Sequence, residues 1–222
     1  MRKFMVVLSF LFGSLTAFQV KAEENFLNGD WWKTATLEQV EQEIKNGANV
    51  NARVPVHEIP VLTLVAASST NFEVIEALIE HGADVNAKDV GGLTALMWAA
   101  TFNEQQDITD TLIKNGADIN TKDNNGNTVL WWAVNKNQNP KVIETLIEHG
   151  ADVNAKNNIG STALMAAVQS NKNPEIVDIL LKNGADVKAK DNNGKTALDY
   201  IKDSPEFSKT DMYKHLQDLM NE

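Results

Sequence analysis

Apolar residues recur at helical spacing in four similar segments of the chain. The shared pattern places two adjacent apolar residues and then one or two more, three or four positions on, along one helical face. The segments carry it at Val74, Ile75, Leu78 and Ile79; at Ile108, Leu112 and Ile113, with Thr109 in an apolar position; at Val142, Ile143, Leu146 and Ile147; and at Ile176, Val177, Leu180 and Leu181. Each segment ends at a glycine, a residue that tolerates the positive φ that terminates a helix. The pattern predicts one amphipathic helix per segment.

A shorter apolar stretch precedes each of these helices. The stretches "LTALMWAA", "NTVLWWAV", "STALMAAV" and "KTALDYIK" each predict a short helix opened by a threonine. The pairs Asn139-Pro140 and Asn173-Pro174 mark the start of the second helix, with Asn as the cap and Pro in the first turn. Stretches such as "TKDNNG" between helix pairs are rich in Asn, Asp and Gly, which favour tight turns.

These units repeat with a nearly constant period. The glycines that end the second helices stand at positions 47, 82, 116, 150 and 184, so the steps are 35, 34, 34 and 34 residues. A fixed period of this size indicates a solenoid, in which each unit buries its apolar surface against its neighbours. The sequence therefore predicts a row of stacked helix pairs.

The first 22 residues have the pattern of a cleavable signal peptide. Arg2 and Lys3 precede the apolar run "FMVVLSFLFGSLTAF", and small residues stand at Val20 and Ala22. We expect cleavage after Ala22. An uncleaved membrane anchor is the alternative, although the run is shorter than the ~20 residues that span a bilayer.

Charge narrows the classes of partner. The chain has 20 Lys and Arg against 30 Asp and Glu, and removal of residues 1–22 leaves 17 against 30. Such a chain is repelled by phosphate backbones and anionic lipid heads, so we expect no nucleic-acid partner and no membrane insertion after cleavage. A partner protein with a basic surface is favoured. The chain contains no cysteine, and it contains no N-glycosylation sequon, which suits a bacterial periplasm.

The repeated unit resembles the ankyrin repeat. Each unit of that family pairs a D-x-x-G-x-T-P-L-H-x-A-A turn and helix with a second helix that ends in G-A-D-V-N-A. The chain contains "DNNGNTVLWWAV" and "LIEHGADVNA", and similar copies, across residues 26–222. The Pro and His of T-P-L-H are replaced, with Met97, Trp131, Met165 and Asp199 in the position of the His. The resemblance implies an all-α repeat solenoid with short β-hairpin-like turns and no catalytic activity.

The repeats divide the chain after residues 1–22 into a single domain, 23–222. We expect six helix pairs, four clear repeats with a cap at each end. Their approximate bounds are 26–51 for the N-terminal cap pair, then 52–86, 87–120, 121–154 and 155–188, and 189–222 for the C-terminal cap pair. The turn "RVPVHEIPV" is one residue longer than its siblings, so the register of the helix after it is ambiguous by one position.

Catalytic and metal-binding patterns are missing from the sequence. The four histidines are scattered, and His81 and His149 occupy the same helix-end position of different repeats. "DNNGN" at Asp123 suggests calcium, but the Gly and Glu that an EF-hand loop requires are replaced by Thr128 and Val134. We expect no cofactor and no metal, and we expect that the protein is not an enzyme.

The resemblance implies that a partner protein binds on a concave face made of turn tips and first helices. Carried over position by position, the partner-binding candidates are Val90, Leu93, Met97, Phe102, Asn124, Asn125, Asn127, Trp131, Lys136, Asn158, Ile159, Met165, Asn192, Asn193 and Lys195. Met97, Trp131 and Met165 form a row that is either an exposed patch or side chains buried against the hairpins. Trp98 and Trp132 take the position that we expect to be in the core.

The sequence therefore predicts a non-catalytic protein-binding module, exported to the periplasm or secreted. Two narrower roles remain open. One is an inhibitor or immunity protein that neutralises a secreted enzyme or toxin, and the other is a secreted effector that binds host proteins.

Overall fold

A computed structural model describes residues 17–55, 57–171, 173–202 and 211–221, and the predicted signal peptide before Ala17 lies outside this part. Twelve α-helices occupy the described residues. They are α1 (Ala17–Phe26), α2 (Leu37–Lys45), α3 (Val61–Ser68), α4 (Phe72–Glu80), α5 (Ala95–Phe102), α6 (Gln106–Lys114), α7 (Val129–Lys136), α8 (Pro140–Glu148), α9 (Ala163–Ser170), α10 (Pro174–Lys182), α11 (Ala197–Lys202) and α12 (Asp211–Asn221).

The helices form two stacked layers. Helices α3, α5, α7, α9 and α11 pack on one another in chain order and make the inner layer, while α2, α4, α6, α8 and α10 make the outer layer. Each inner helix also packs on the outer helix that follows it. The predicted all-α solenoid is confirmed.

The helix ends confirm the sequence signals that predicted them. The Thr128 side chain accepts a hydrogen bond from the Trp131 amide at the start of α7. Asn139 caps α8 in the same way, and Pro140 stands in its first turn. Gly116 ends α6 with a φ of 89°, a conformation that residues with a side chain rarely adopt.

The turns between repeats are narrow hairpins. Within the described residues the only strand pair joins β1 (Arg53–Val54) to β2 (Ile59–Pro60) in the long first turn. Its tip holds His57 and Glu58 with positive φ, and Pro60 directly precedes α3, which settles the ambiguous register. Two backbone bonds close the third turn, one from the Asp123 amide to the Asn127 carbonyl and one from the Gly126 amide to the Asp123 carbonyl.

The N-terminal cap differs from the prediction. Its first member is one 3₁₀ turn, Trp31–Lys33, because Thr36 already caps the next helix and leaves no room for a second turn. This turn packs on α3, and Phe26, Trp31 and Trp32 form an aromatic cluster. Helix α1 runs across the expected cleavage position, where Ala22 is fully buried.

Buried asparagines join the inner helices of successive repeats. Asn137 Nδ2 donates to the Ala100 carbonyl (2.9 Å) and the Asn103 carbonyl (3.0 Å), while its Oδ1 accepts from the Asn139 amide. Asn103 and Asn171 repeat this arrangement one repeat earlier and one later. We call Asn103, Asn137 and Asn171 the buried asparagine ladder.

The ladder yields a prediction about stability. We expect Asn137→Ala to lower the free energy of unfolding by about 3 kcal/mol, because two buried carbonyls and one amide lose their partner. Urea denaturation followed by circular dichroism measures this. The control is Asn135→Ala, since the half-buried Asn135 side chain donates one long hydrogen bond, to Ser170 Oγ at 3.5 Å. This variant should lower the free energy of unfolding by less than ~0.5 kcal/mol. Equal losses in the two variants would contradict the role of the ladder.

Candidate functional site

The candidate surface is the inner-helix face, which we define as the turn tips together with the exposed positions of the inner helices. In the four inner helices of eight residues, α3, α5, α7 and α9, the fourth and eighth residues lie one turn apart on one side. Trp98 and Phe102 take these positions in α5, and Trp132 and Lys136 take them in α7. Phe102 and Lys136 are exposed, whereas the two tryptophans are half-buried.

The structure brings most of the predicted candidates to this face. Exposed members are Val90, Phe102, Asn124, Asn125, Lys136, Asn158, Ile159, Asn192, Asn193 and Lys195, and half-buried members are Leu93 and Trp131. Val90, Phe102 and Ile159 are 57%, 55% and 62% exposed. Large apolar side chains that remain this accessible are the ones that a partner can cover.

Three candidates are removed from the surface because the structure buries them. Met97 and Met165 are each 1% exposed and lie in the core, so the row that they form with Trp131 is not an exposed patch. Asn127 is also buried, and its Nδ2 donates to Asp123 Oδ2 at 3.0 Å. Trp131 alone of the row reaches the surface, and its Nε1 contacts Ser161 Oγ of the next turn at 3.4 Å.

Trp98 and Trp132 were expected in the core, yet they lie at its edge beside the turns. Trp132 Nε1 donates to Asp123 Oδ2 (3.0 Å), and Trp98 Nε1 donates to Asp89 Oδ2 (3.1 Å). The other oxygen of Asp123 accepts from two amides of its own turn. Each carboxylate therefore fixes both the hairpin and the indole that borders it.

The last repeat has the same kind of aspartate–aromatic hydrogen bond, with a tyrosine in place of the tryptophan. The Tyr200 hydroxyl donates to Asp191 Oδ2, and Lys195 Nζ lies 5.1 Å from the Tyr200 ring centre. This hydrogen bond lowers the pKa of Asp191 and raises the pKa of Tyr200. The signal in the sequence was an acidic residue nine positions before an aromatic one, as in Asp89 and Trp98.

The repeat of residues 155–188 lacks the aspartate–aromatic pair. Asn157 stands in place of the aspartate, and Ala166 stands in place of the aromatic ring. Asn157 Nδ2 instead donates to Asn127 Oδ1 of the preceding repeat at 2.7 Å. The chain therefore either keeps both members of the pair or replaces both.

Asparagines at the tips hold neighbouring turns together. Asn124, Asn158 and Asn192 each donate through Nδ2 to a carbonyl in the preceding tip. Gly126 has a φ of 78°, and a Cβ added there would lie 2.9 Å from the backbone nitrogen of Asn158. The tips are therefore closely packed and uniformly spaced along the face.

Comparison with known proteins agrees with this architecture. The family model for ankyrin repeats (three copies) matches residues 35–123, 63–157 and 130–203. Over 62 residues, 28% of the chain, it is 37% identical to ankyrin repeat and SOCS box protein 6 of Mus musculus and 39% identical to the protein of that name of Homo sapiens. The match spans 15% of the length of these relatives.

The stacked helix pairs and narrow hairpins define a repeat solenoid of the class that binds other proteins. The chain belongs to the ankyrin repeat family, because the family model matches most of its length. Ankyrin repeats are protein-binding modules. Among the described residues no helix is both long enough and apolar enough to cross a membrane.

The pairing of Asp123 with Trp132 gives a prediction for the site. We expect Asp123→Asn and Trp132→Phe to be coupled by about 1–2 kcal/mol in a double-mutant cycle, since the hydrogen bond involves a charged acceptor. Urea denaturation of the wild type, both single variants and the double variant measures the coupling. The control cycle replaces Trp132→Phe with Trp131→Phe, because the Trp131 indole donates to Ser161 Oγ and not to Asp123. Additive effects are expected there. Additivity in both cycles would refute the pairing.

Proposed function

We propose that the protein is a non-catalytic binding module that engages a partner protein on the inner-helix face. One observation supports this most directly. Three of the four most exposed large apolar side chains in the described residues, those of Val90, Phe102 and Ile159, lie on this face. The fourth, Phe72, lies at the start of outer helix α4 and is 40% exposed.

The slots of these residues vary among the repeats, which favours a role in recognition. Ser170 occupies the position of Phe102 two repeats later, and Asn125 and Asn193 occupy the position of Ile159 in the repeats on either side. The fold accepts a polar residue at both positions. An exposed apolar side chain there has no evident structural purpose and suits contact with a partner.

The test replaces two exposed apolar residues with the polar residues that occupy the same positions in other repeats. We expect Phe102→Ser combined with Ile159→Asn to reduce capture of the partner from a periplasmic or culture extract at least ~10-fold, with an unchanged circular dichroism spectrum. The matched control is Phe72→Ser, which removes an exposed phenylalanine from the outer layer and should leave capture unchanged. Equal capture by both variants would exclude this face.

The identity of the captured protein distinguishes the narrower roles. A toxic secreted enzyme would make the chain an inhibitor or immunity protein, and a host protein would make it an effector. The net charge of the chain favours a basic partner surface. Reversing the charge of Glu76 on α4 tests whether the acidic residues take part, because it should weaken capture only if they do.

Export by a cleaved signal peptide is part of this proposal. Its support is the basic start, the apolar run and the small residues Val20 and Ala22. Ala22 is buried in the folded chain, so cleavage there has to precede folding. After cleavage, Glu23 remains as an anchor, since its Oε1 accepts from the Asn49 amide at 2.9 Å.

We predict that the protein recovered from the periplasm of a bacterial host begins at Glu23, which N-terminal sequencing measures. Ala22→Arg should prevent processing, because the cleavage site requires a small residue. Lys33→Ala, outside the leader, is the control and should be processed normally. Recovery of a chain that begins at Met1 would refute cleavage.

A further inference from the structure

Charge is separated between the two layers of the solenoid. The outer helices α2, α4, α6, α8 and α10 together carry twelve carboxylates and four lysines. The inner helices carry one carboxylate, Asp199, and two lysines, Lys136 and Lys202. The negative charge that the whole chain displays is therefore concentrated on the layer opposite the candidate surface.

The turn aspartates add little to the recognition chemistry of the inner-helix face. Asp89 Oδ1 accepts from the Gly91 amide (2.8 Å) and the Leu93 amide (3.0 Å), and its Oδ2 accepts from Trp98. Three of its roughly four acceptor positions are thus occupied by donors of its own repeat. A basic side chain placed over this point would lose water without gaining a well-oriented ion pair.

Four apolar side chains belong to the same repeat as this carboxylate, and the Trp98 indole donates to it. We call Val90, Leu93, Trp98 and Phe102 the apolar ledge. The rings of Trp98 and Phe102 are 5.4 Å apart at an angle of 48°, a tilted aromatic contact. Leu93 follows the turn that Asp89 closes, and Val90 stands at its tip.

The two repeats that follow do not carry the apolar ledge. In the next repeat the corresponding residues are Asn124, Asn127, Trp132 and Lys136, and in the one after they are Asn158, Ser161, Ala166 and Ser170. The corresponding positions of these two repeats are therefore mostly polar, and the exposed Ile159 lies at the tip of the second of them. A partner that lies along the inner-helix face meets different chemistry at each repeat.

We infer that the apolar ledge is the anchor point for an apolar segment of the partner, with aromatic or branched aliphatic side chains. This inference rests on the proposed function and gives the partner a chemistry that the net charge alone would not suggest. Burial of such side chains against Trp98 and Phe102 removes apolar surface from water on both partners. Recognition here depends on apolar area, so it is largely independent of salt.

The experiment uses a phage-displayed random peptide library selected on the full folded chain. We expect the enriched peptides to share apolar anchor residues without a basic consensus. Synthetic copies should bind with a dissociation constant that changes within about twofold between low and high salt, because no exposed ion pair is formed. Fluorescence anisotropy of labelled peptide measures both the constant and its salt dependence.

Two variants locate the peptides on the chain. Phe102→Ser should weaken binding at least ~10-fold, and Phe72→Ser should leave it unchanged. Ser170→Phe provides a second test, since it places a phenylalanine in the same slot two repeats on, beside Ala166 instead of a tryptophan. We expect no added binding from it, because the anchor requires the paired rings.

Several outcomes would overturn the inference. Enrichment of basic peptides whose binding falls with salt and with Glu76→Lys would show that the acidic layer recognises the partner. Apolar peptides that bind Phe102→Ser as well as wild type, or no enrichment on the folded chain, would exclude the apolar ledge as an anchor. A different result would refute the proposed function, namely that substitutions on the inner-helix face leave capture of the natural partner unchanged.

Discussion

The stack depends on polar groups that one repeat leaves unsatisfied and the next repeat completes. The Ala100 and Asn103 carbonyls lie at the end of an inner helix, where the helix itself supplies no donor. Asn137, one repeat later, satisfies both and is only 2% exposed. An unpaired buried carbonyl costs about 1–3 kcal/mol of folding stability. Each repeat is therefore stable only when the next repeat is present at the correct spacing to supply the asparagine.

This scaffold separates the residues that hold the fold from those that are available for recognition. One group of residues forms hydrogen bonds within the stack. It consists of asparagines and aspartates of the ladder, the tips and the turns. The positions between them point away from these contacts, and they differ from repeat to repeat. Phe102, Lys136 and Ser170 share one slot without disturbing the helices around them. Variation in these slots alters the chemistry of the inner-helix face at little structural cost.

The repeat architecture could be predicted because its signals are local and periodic, as with Thr128, Asn139 and Gly116. Which of the candidate surface residues are buried could not be predicted from the sequence. The sequence left open whether the row of Met97, Trp131 and Met165 is exposed or buried, and only contacts between repeats decide that the two methionines are covered. The short 3₁₀ turn at Trp31 likewise reflects competition with the Thr36 cap. The role of Trp98 depends on a partner nine residues away, a relation that periodicity of apolar residues does not reveal.

The repeat of residues 155–188, which lacks the aspartate–aromatic pair, clarifies what that pair does. Its turn keeps the same closure, since the Asn157 amide donates to the Ser161 carbonyl and Asn157 Oδ1 still accepts from two turn amides. Closure therefore requires a side-chain oxygen but no charge and no ring. What the pair adds in the three repeats that carry it is an aromatic group fixed beside the turn, at the edge of the inner-helix face. Trp98 is such a fixed ring, and it adjoins the exposed Phe102. The two rings form an apolar surface that has one orientation before a partner binds. This preorganisation lowers the entropy lost on binding.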